Sequence, residues 1–134
     1  MTEEQPVVLI ADDSITNLHV LNNILRPHYH VKATRSGLRA VEIAVRDQPK
    51  AVLLDVMMPD LDGPDVCRRI KSQPGLEHTP VLFVTGSADD KVTTLCRAAG
   101  GAAVLTKPVD PKRLLAAVAD LIATAAVADS TPGG

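Results

Sequence analysis

Asp55 ends the apolar run Ala51-Val52-Leu53-Leu54, and Asp12 and Asp13 close a second run, Val7-Val8-Leu9-Ile10-Ala11. A carboxylate in such a place sits where a buried strand reaches solvent. If the two runs are neighbouring strands, three carboxylates converge on one point. Their charges repel, so the cluster is costly unless a cation lies among them. Two further runs end in polar groups. Val81–Val84 is followed by Thr85, Gly86 and Ser87, and Ala102–Thr106 by Lys107 and Pro108. Acids with hard oxygen ligands suit Mg²⁺, which takes few carboxylates and keeps several waters. The cation and Lys107 together would form a pocket for a dianionic group. Phosphoryl transfer needs an in-line nucleophile, a metal and donors on the equatorial oxygens. A carboxylate can be that nucleophile and give an acyl phosphate.

The elements that must position these groups follow from the apolar pattern. The runs Val7–Ala11, Ala51–Leu54, Val81–Val84 and Ala102–Leu105 are short and continuous, as strands covered on both faces should be. Tyr29–Thr34 alternates apolar and polar residues and suits a half-exposed edge strand. Five helix patterns lie between and after the runs. Ile15, Leu18, Leu21 and Leu25 share one face, closed by Pro27. Leu38, Val41 and Val45 mark a second helix ending before Pro49. Val66 and Ile70 mark a third, between Gly63-Pro64 and Pro74-Gly75. Val92, Leu95, Cys96 and Ala99 mark a fourth, closed by Gly100-Gly101. The last starts at the N-cap Asp110 with Pro111 in its first turn, and buries Leu114, Val118, Leu121 and Ala125. A strand–helix unit repeated five times predicts an α/β fold, doubly wound and flavodoxin-like. Its parallel sheet has the order 2-1-3-4-5, with helices on both faces. The chain reverses direction between strands 1 and 3, and ligands bind beyond the carboxyl ends there. Asp12, Asp13 and Asp55 occupy those ends.

Composition removes other classes. The 134 residues suggest one domain. A net charge of −2 offers no basic field for nucleic acid or an anionic membrane. One Tyr, one Phe and no Trp leave no base-stacking platform. No apolar run approaches the roughly 20 residues that span a bilayer, and Met1–Pro6 is unlike a signal peptide. The expected compartment is the cytoplasm. Cys67 and Cys96 fit no metal or redox spacing and read as small apolar fillers on helix faces.

The pieces Asp12-Asp13, Asp55 through Gly63, Thr85-Gly86 and Lys107-Pro108, in order and at strand ends, resemble the receiver domain of two-component response regulators, the CheY-like family. The resemblance covers residues 6–127, with 128–134 a linker-like tail and no second domain expected after it. It implies that Asp55 accepts phosphate from a histidine kinase or phosphotransfer protein. Asp13 would hold Mg²⁺ directly, Asp12 partly through water, and the Met57 backbone carbonyl would be a further ligand alongside Asp55. Thr85 would hydrogen-bond the phosphoryl group and Lys107 pair with it. Gly86 would leave room beside it. The Lys107–Pro108 bond is expected to be cis. Catalysis beyond self-phosphorylation and slow self-dephosphorylation is not implied. The resemblance also allows a phosphorylation-dependent homodimer through the fourth helix, fifth strand and fifth helix. The stretch Leu18–Pro27 is similar to receivers fused to cyclic-di-GMP-handling modules.

One departure concerns readout. Many receivers carry Tyr or Phe three residues before the lysine; here that residue is Val104, and Val109 stands where Phe is common after the proline. A passive adaptor that binds partners without phosphorylation is therefore the alternative reading. An aspartate-nucleophile phosphatase would need D-x-D at the first strand end, and Asp12-Asp13 are adjacent instead. His28 and His30 alternate on one strand without further ligands and read as surface residues. Arg68, Arg69 and Lys71 read as a solvated basic face.

Overall fold

Residues 5–87 and 89–130 are described by the computed structural model, with side chains to residue 126. β1 (Val7–Ala11) and β3 (Ala51–Leu54) coincide with the apolar runs. β4 (Val81–Thr85) takes in one more residue, and β5 (Ala103–Thr106) begins one residue later than its run. β2 (His30–Thr34) is the alternating segment without Tyr29. Helices α1 (Ile15–Leu25), α2 (Gly37–Asp47), α3 (Gly63–Lys71), α4 (Asp90–Ala98) and α5 (Pro111–Ser130) complete the chain. All four pairings are parallel and the order is β2-β1-β3-β4-β5. This is the doubly wound flavodoxin-like arrangement.

Strand residues alternate between two cores. Val8, Ile10, Leu53, Leu82 and Val84 pack with Leu21 and Leu25 of α1 and Leu114 and Val118 of α5. Leu9, Val52, Leu54 and Phe83 pack on the other face with Ala40 and Ile43 of α2, Val66 and Ile70 of α3 and Cys96 of α4. The pleat sends successive side chains to opposite faces, so a central strand covered on both sides must be apolar throughout. β5, at the sheet edge, is only half-buried, unlike the three central strands.

Several helix faces differ from the pattern reading. α2 buries Gly37, Ala40, Ile43 and Ala44, whereas Leu38 and Val45 are about half exposed. Small residues let this helix approach closely: a Cβ on Gly37 would lie 2.5 Å from the Leu61 carbonyl oxygen and 2.8 Å from Val66 Cγ2. Ile15 and Leu95 are also exposed rather than buried. α5 runs through Ser130, so the first residues of the expected tail are helical, and 131–134 lie outside the described residues. Its start agrees with expectation, Asp110 Oδ2 accepting from Arg113 N at 3.1 Å.

Candidate functional site

The sheet register brings the acids together. Ala11 pairs with Leu54, so Asp12 and Asp55 step off adjacent strands at the same level. Asp55 N donates to Ala11 O at 2.9 Å, and Asp12 N to Thr34 O at 3.1 Å, which extends the ladder to the edge. Thr85 pairs with Thr106, and Lys107 N donates to Thr85 O at 2.8 Å. The Lys107–Pro108 bond is cis, as expected.

Lys107 Nζ stands between two carboxylates, 2.8 Å from Asp12 Oδ2 and 3.4 Å from Asp55 Oδ1. Asp12 is 1% exposed. Its Oδ1 accepts from Ser14 N at 2.9 Å, while Oδ2 has the ammonium as an ion-pair contact and no directed hydrogen bond. Burial, and then the nearby charge of Asp12, push the Asp55 carboxyl above the usual range; Lys107 and the Met57 amide pull it back only in part. Thr85 is buried, and its hydroxyl exchanges hydrogen bonds with Ser87, donating to the carbonyl at 3.2 Å and accepting from the amide at 3.3 Å. Among the described residues a Cβ on Gly86 would meet nothing within 4 Å, so the space on that side of Gly86 is open.

Asp13 departs from the expected convergence. Its side chain is exposed and lies 3.8 Å from Arg35 Nη2, and Arg35 Nε donates to the Asp13 carbonyl at 2.9 Å. Among the described residues no three acidic, His or Cys side chains stand close enough to cage a metal. Two carboxylates and one ammonium form the centre, with Asp13 at its rim. The Met57 side chain is 77% exposed, so only its backbone can serve the site.

The residues nevertheless fit a hard cation. A buried carboxylate oxygen lacks a directed hydrogen bond, a second carboxylate sits beside it, and its neutralising ammonium stands at the end of a long unbranched side chain. That donor set leaves most positions to water, which Mg²⁺ prefers.

Two supports escaped the sequence reading. Gly63 N donates to Val56 O at 2.8 Å, and a Cβ there would lie 2.3 Å from the Asp55 carbonyl oxygen, so only glycine fits. Asp60 accepts from Ser36, Gly37 and Leu38, residues 22–24 positions away. The glycine after the acidic loop was a visible signal; the partners of Asp60 were not. At the other end of the sheet a cavity of about 350 Å³ is lined in part by Pro6, Pro49 and Pro80, and no site residue reaches it.

Known proteins agree with this geometry. A profile of the response regulator receiver domain matches residues 8–119. The response regulator PleD of Caulobacter vibrioides is 37% identical over 117 residues, 85% of this chain and 25% of that protein. A probable cyclic di-GMP phosphodiesterase of Vibrio cholerae is 38% identical over 105 residues, 78% of this chain and 24% of that protein. The chain thus spans about a quarter of the length of these two relatives. Among solved structures, a putative response regulator from Chloroflexus aurantiacus superposes with a TM-score of 0.85 at 30% identity, covering 90% of this chain and 99% of that one. The receiver domain of sensor histidine kinase PA1611 from Pseudomonas aeruginosa, with magnesium coordinated in its active site cleft, gives 0.83 at 28% identity, covering 89% and 98%. With its strand order, its edge of acids and lysine, and these matches, the chain belongs to the response regulator receiver domain family of two-component phosphorelay signalling.

Proposed function

We propose that this chain is a phosphorylation-controlled switch whose acceptor is Asp55. The observation that carries the reading is the Lys107 ammonium shared by Asp12 and Asp55 at the end of the sheet. An Asp55 carboxylate oxygen attacks the phosphorus of a phosphohistidine on a histidine kinase or phosphotransfer protein. The new O–P bond forms as the P–N bond breaks, and the imidazole leaves with the electron pair. The raised proton affinity of Asp55 reflects an anion held in a partly desolvated place, where its charge is less masked by water. Lys107 supplies positive charge next to the entering group. The Thr85 hydroxyl, now donating to Ser87 O, can turn to a phosphoryl oxygen in the open space beside Gly86.

Asp12, Asp55 and the Met57 carbonyl would hold Mg²⁺, joined by Asp13 on turning away from Arg35; the ion when bound supplies charge neutralisation to the phosphoryl oxygens. The magnesium in the cleft of the PA1611 receiver supports this assignment. Catalysis extends no further than self-phosphorylation and slow hydrolysis of the aspartyl phosphate. The working unit spans residues 6–127 and acts in the cytoplasm; no helix among the described residues is long and apolar enough to cross a membrane. Output passes to a downstream protein or a homodimer through α4, β5 and α5. The name of the Vibrio relative supports a place in cyclic-di-GMP signalling.

Incubation with acetyl phosphate and Mg²⁺ tests the reading. Intact-protein mass should rise by one phosphoryl group, and Asp55→Asn should abolish the gain. Equal uptake by that variant refutes the acceptor assignment. Val104, half-buried against the α2–α4 core, favours the adaptor alternative. Beryllium fluoride with Mg²⁺ separates the two, because a phosphoryl mimic that binds only the folded switch must raise its melting temperature.

A further inference from the structure

Asp60 takes no part in the chemistry above, yet it is the most heavily hydrogen-bonded acid at this edge. Its Oδ2 accepts from Ser36 Oγ at 2.6 Å and Leu38 N at 3.1 Å, and its Oδ1 from Gly37 N at 3.0 Å. These donors hold its carboxyl far below the usual range. The amides belong to the first turn of α2, whose own N-cap, Ser36, accepts only from Arg39 N at 3.1 Å. Asp60 therefore satisfies the orphan donors that the cap leaves over.

The consequence lies in the loop that carries Asp60. At its base, Gly63 N is bonded to Val56 O. In its middle, Met58 is buried in the core and Pro59 has a fixed φ. At its tip, Asp60 is tied to α2. Met57 lies between these anchors, and its exposed side chain contributes none of its own. The β2–α2 segment that receives Asp60 also grips the first acidic loop, since Arg35 Nε donates to Asp13 O. One short segment thus braces both loops that bear the acids.

We propose that Asp60 is a positioning residue for the cation site: by tying the tip of the β3–α3 loop to the first turn of α2, it holds the Met57 carbonyl in register with Asp12 and Asp55. This rests on the Mg²⁺ site proposed above. The competing roles are a helix cap that affects stability alone, and a remote negative charge that attracts the cation without positioning anything.

Asp60→Ala and Asp60→Asn, made in the full chain, separate these roles. Neither removes a core residue, so both fold, and a melting curve checks this. Mn²⁺ serves as the probe, its free fraction counted by electron paramagnetic resonance, with Mg²⁺ as competitor. Amide exchange at Met57, read by NMR without metal, follows the loop itself. Asp60→Ala should weaken Mn²⁺ binding about ten-fold, as loss of an outer support does, and speed exchange at Met57. Asn keeps one of the two acceptor oxygens and loses the charge, so Asp60→Asn should fall between the parent and Asp60→Ala in both Mn²⁺ affinity and Met57 exchange. A lowered melting temperature in Asp60→Ala with unchanged Mn²⁺ affinity and Met57 exchange overturns the proposal in favour of the cap. Equal loss of Mn²⁺ affinity in both variants with Met57 exchange unchanged overturns it in favour of charge. A parent protein that takes up no Mn²⁺ refutes the cation site itself, and the positioning role falls with it.

Discussion

Lys107→Met removes the ammonium between Asp12 and Asp55 and keeps a side chain of similar length. At an effective dielectric of about 20, unit charges at the observed 2.8 Å and 3.4 Å attract by about 6 and 5 kcal/mol. Desolvation of the three groups offsets much of this, and breaking a buried pair by deleting one partner costs about 3–5 kcal/mol. Protonation limits the loss. Placing a proton on a carboxyl of ordinary pKa costs about 4 kcal/mol at pH 7 and about 1.5 kcal/mol at pH 5. The variant should therefore lose about 3–4 kcal/mol at pH 7, or about 10 °C in melting temperature, but no more than about 1.5 kcal/mol at pH 5. The sign follows from linkage. Without the ammonium the folded-state pKa of Asp55 rises further, so the deficit is present above it and is recovered as pH falls toward the unfolded value. Urea unfolding of both proteins at the two pH values, followed by circular dichroism without Mg²⁺, reads the difference. An equal loss at both would show that Lys107 acts through the packing of its stem and not through its charge.

Gly63→Ala should cost about 1–3 kcal/mol, because its Cβ would press on the Asp55 backbone oxygen, and phosphate uptake from acetyl phosphate should fall with it. Asp55→Asn should raise the melting temperature at pH 7 without Mg²⁺. The Asp55 pKa is raised by burial and by Asp12, so its ionised form opposes folding above that pKa, and the gain should shrink as pH falls and the parent protonates; a lower melting temperature at pH 7 contradicts this. Cys67 and Cys96 are buried, and burial pushes the Cys67 thiol up to about 11. Neither should react with Ellman's reagent at pH 8 until denaturant is added, and rapid native labelling would refute the packing described.

The sheet was legible because its central strands face apolar layers on both sides, which leaves continuous runs that no surface helix imitates. Helix faces were less legible. Large residues drew the stripe of α2 to Leu38, Val41 and Val45, whereas the sheet side is made of Gly37, Ala40, Ile43 and Ala44. Close packing on a sheet favours small side chains, and a count of bulky residues points to the wrong flank. The acids at the strand ends could be placed from sequence because strand order fixes which ends are neighbours. The rotation of Asp13 toward Arg35 depends on a loop conformation that strand order does not determine. Asp60 shows the same limit, since its partners enter from another loop.

The structure also bears on how a signal could leave the site without an aromatic at residue 104. Thr85 Oγ1 is engaged with both the amide and the carbonyl of Ser87. Under the proposed reading, a hydroxyl that turns to donate to a phosphoryl oxygen must release the Ser87 carbonyl, so the first segment freed is the one that leads into α4. That helix is weakly held: Cys96 is its one buried residue, while Leu95 is exposed. α3, by contrast, buries Gly63, Pro64, Val66, Cys67 and Ile70. Elements with few buried apolar contacts move at the lowest free energy. Val104 packs into the same core as Cys96 and pairs with Phe83, so β5 can follow a shift of α4 through apolar packing alone. A route from Thr85 through Ser87 to α4 requires no ring to swing inward. Phosphorylation would thus be read as a change in how α4 lies on the sheet.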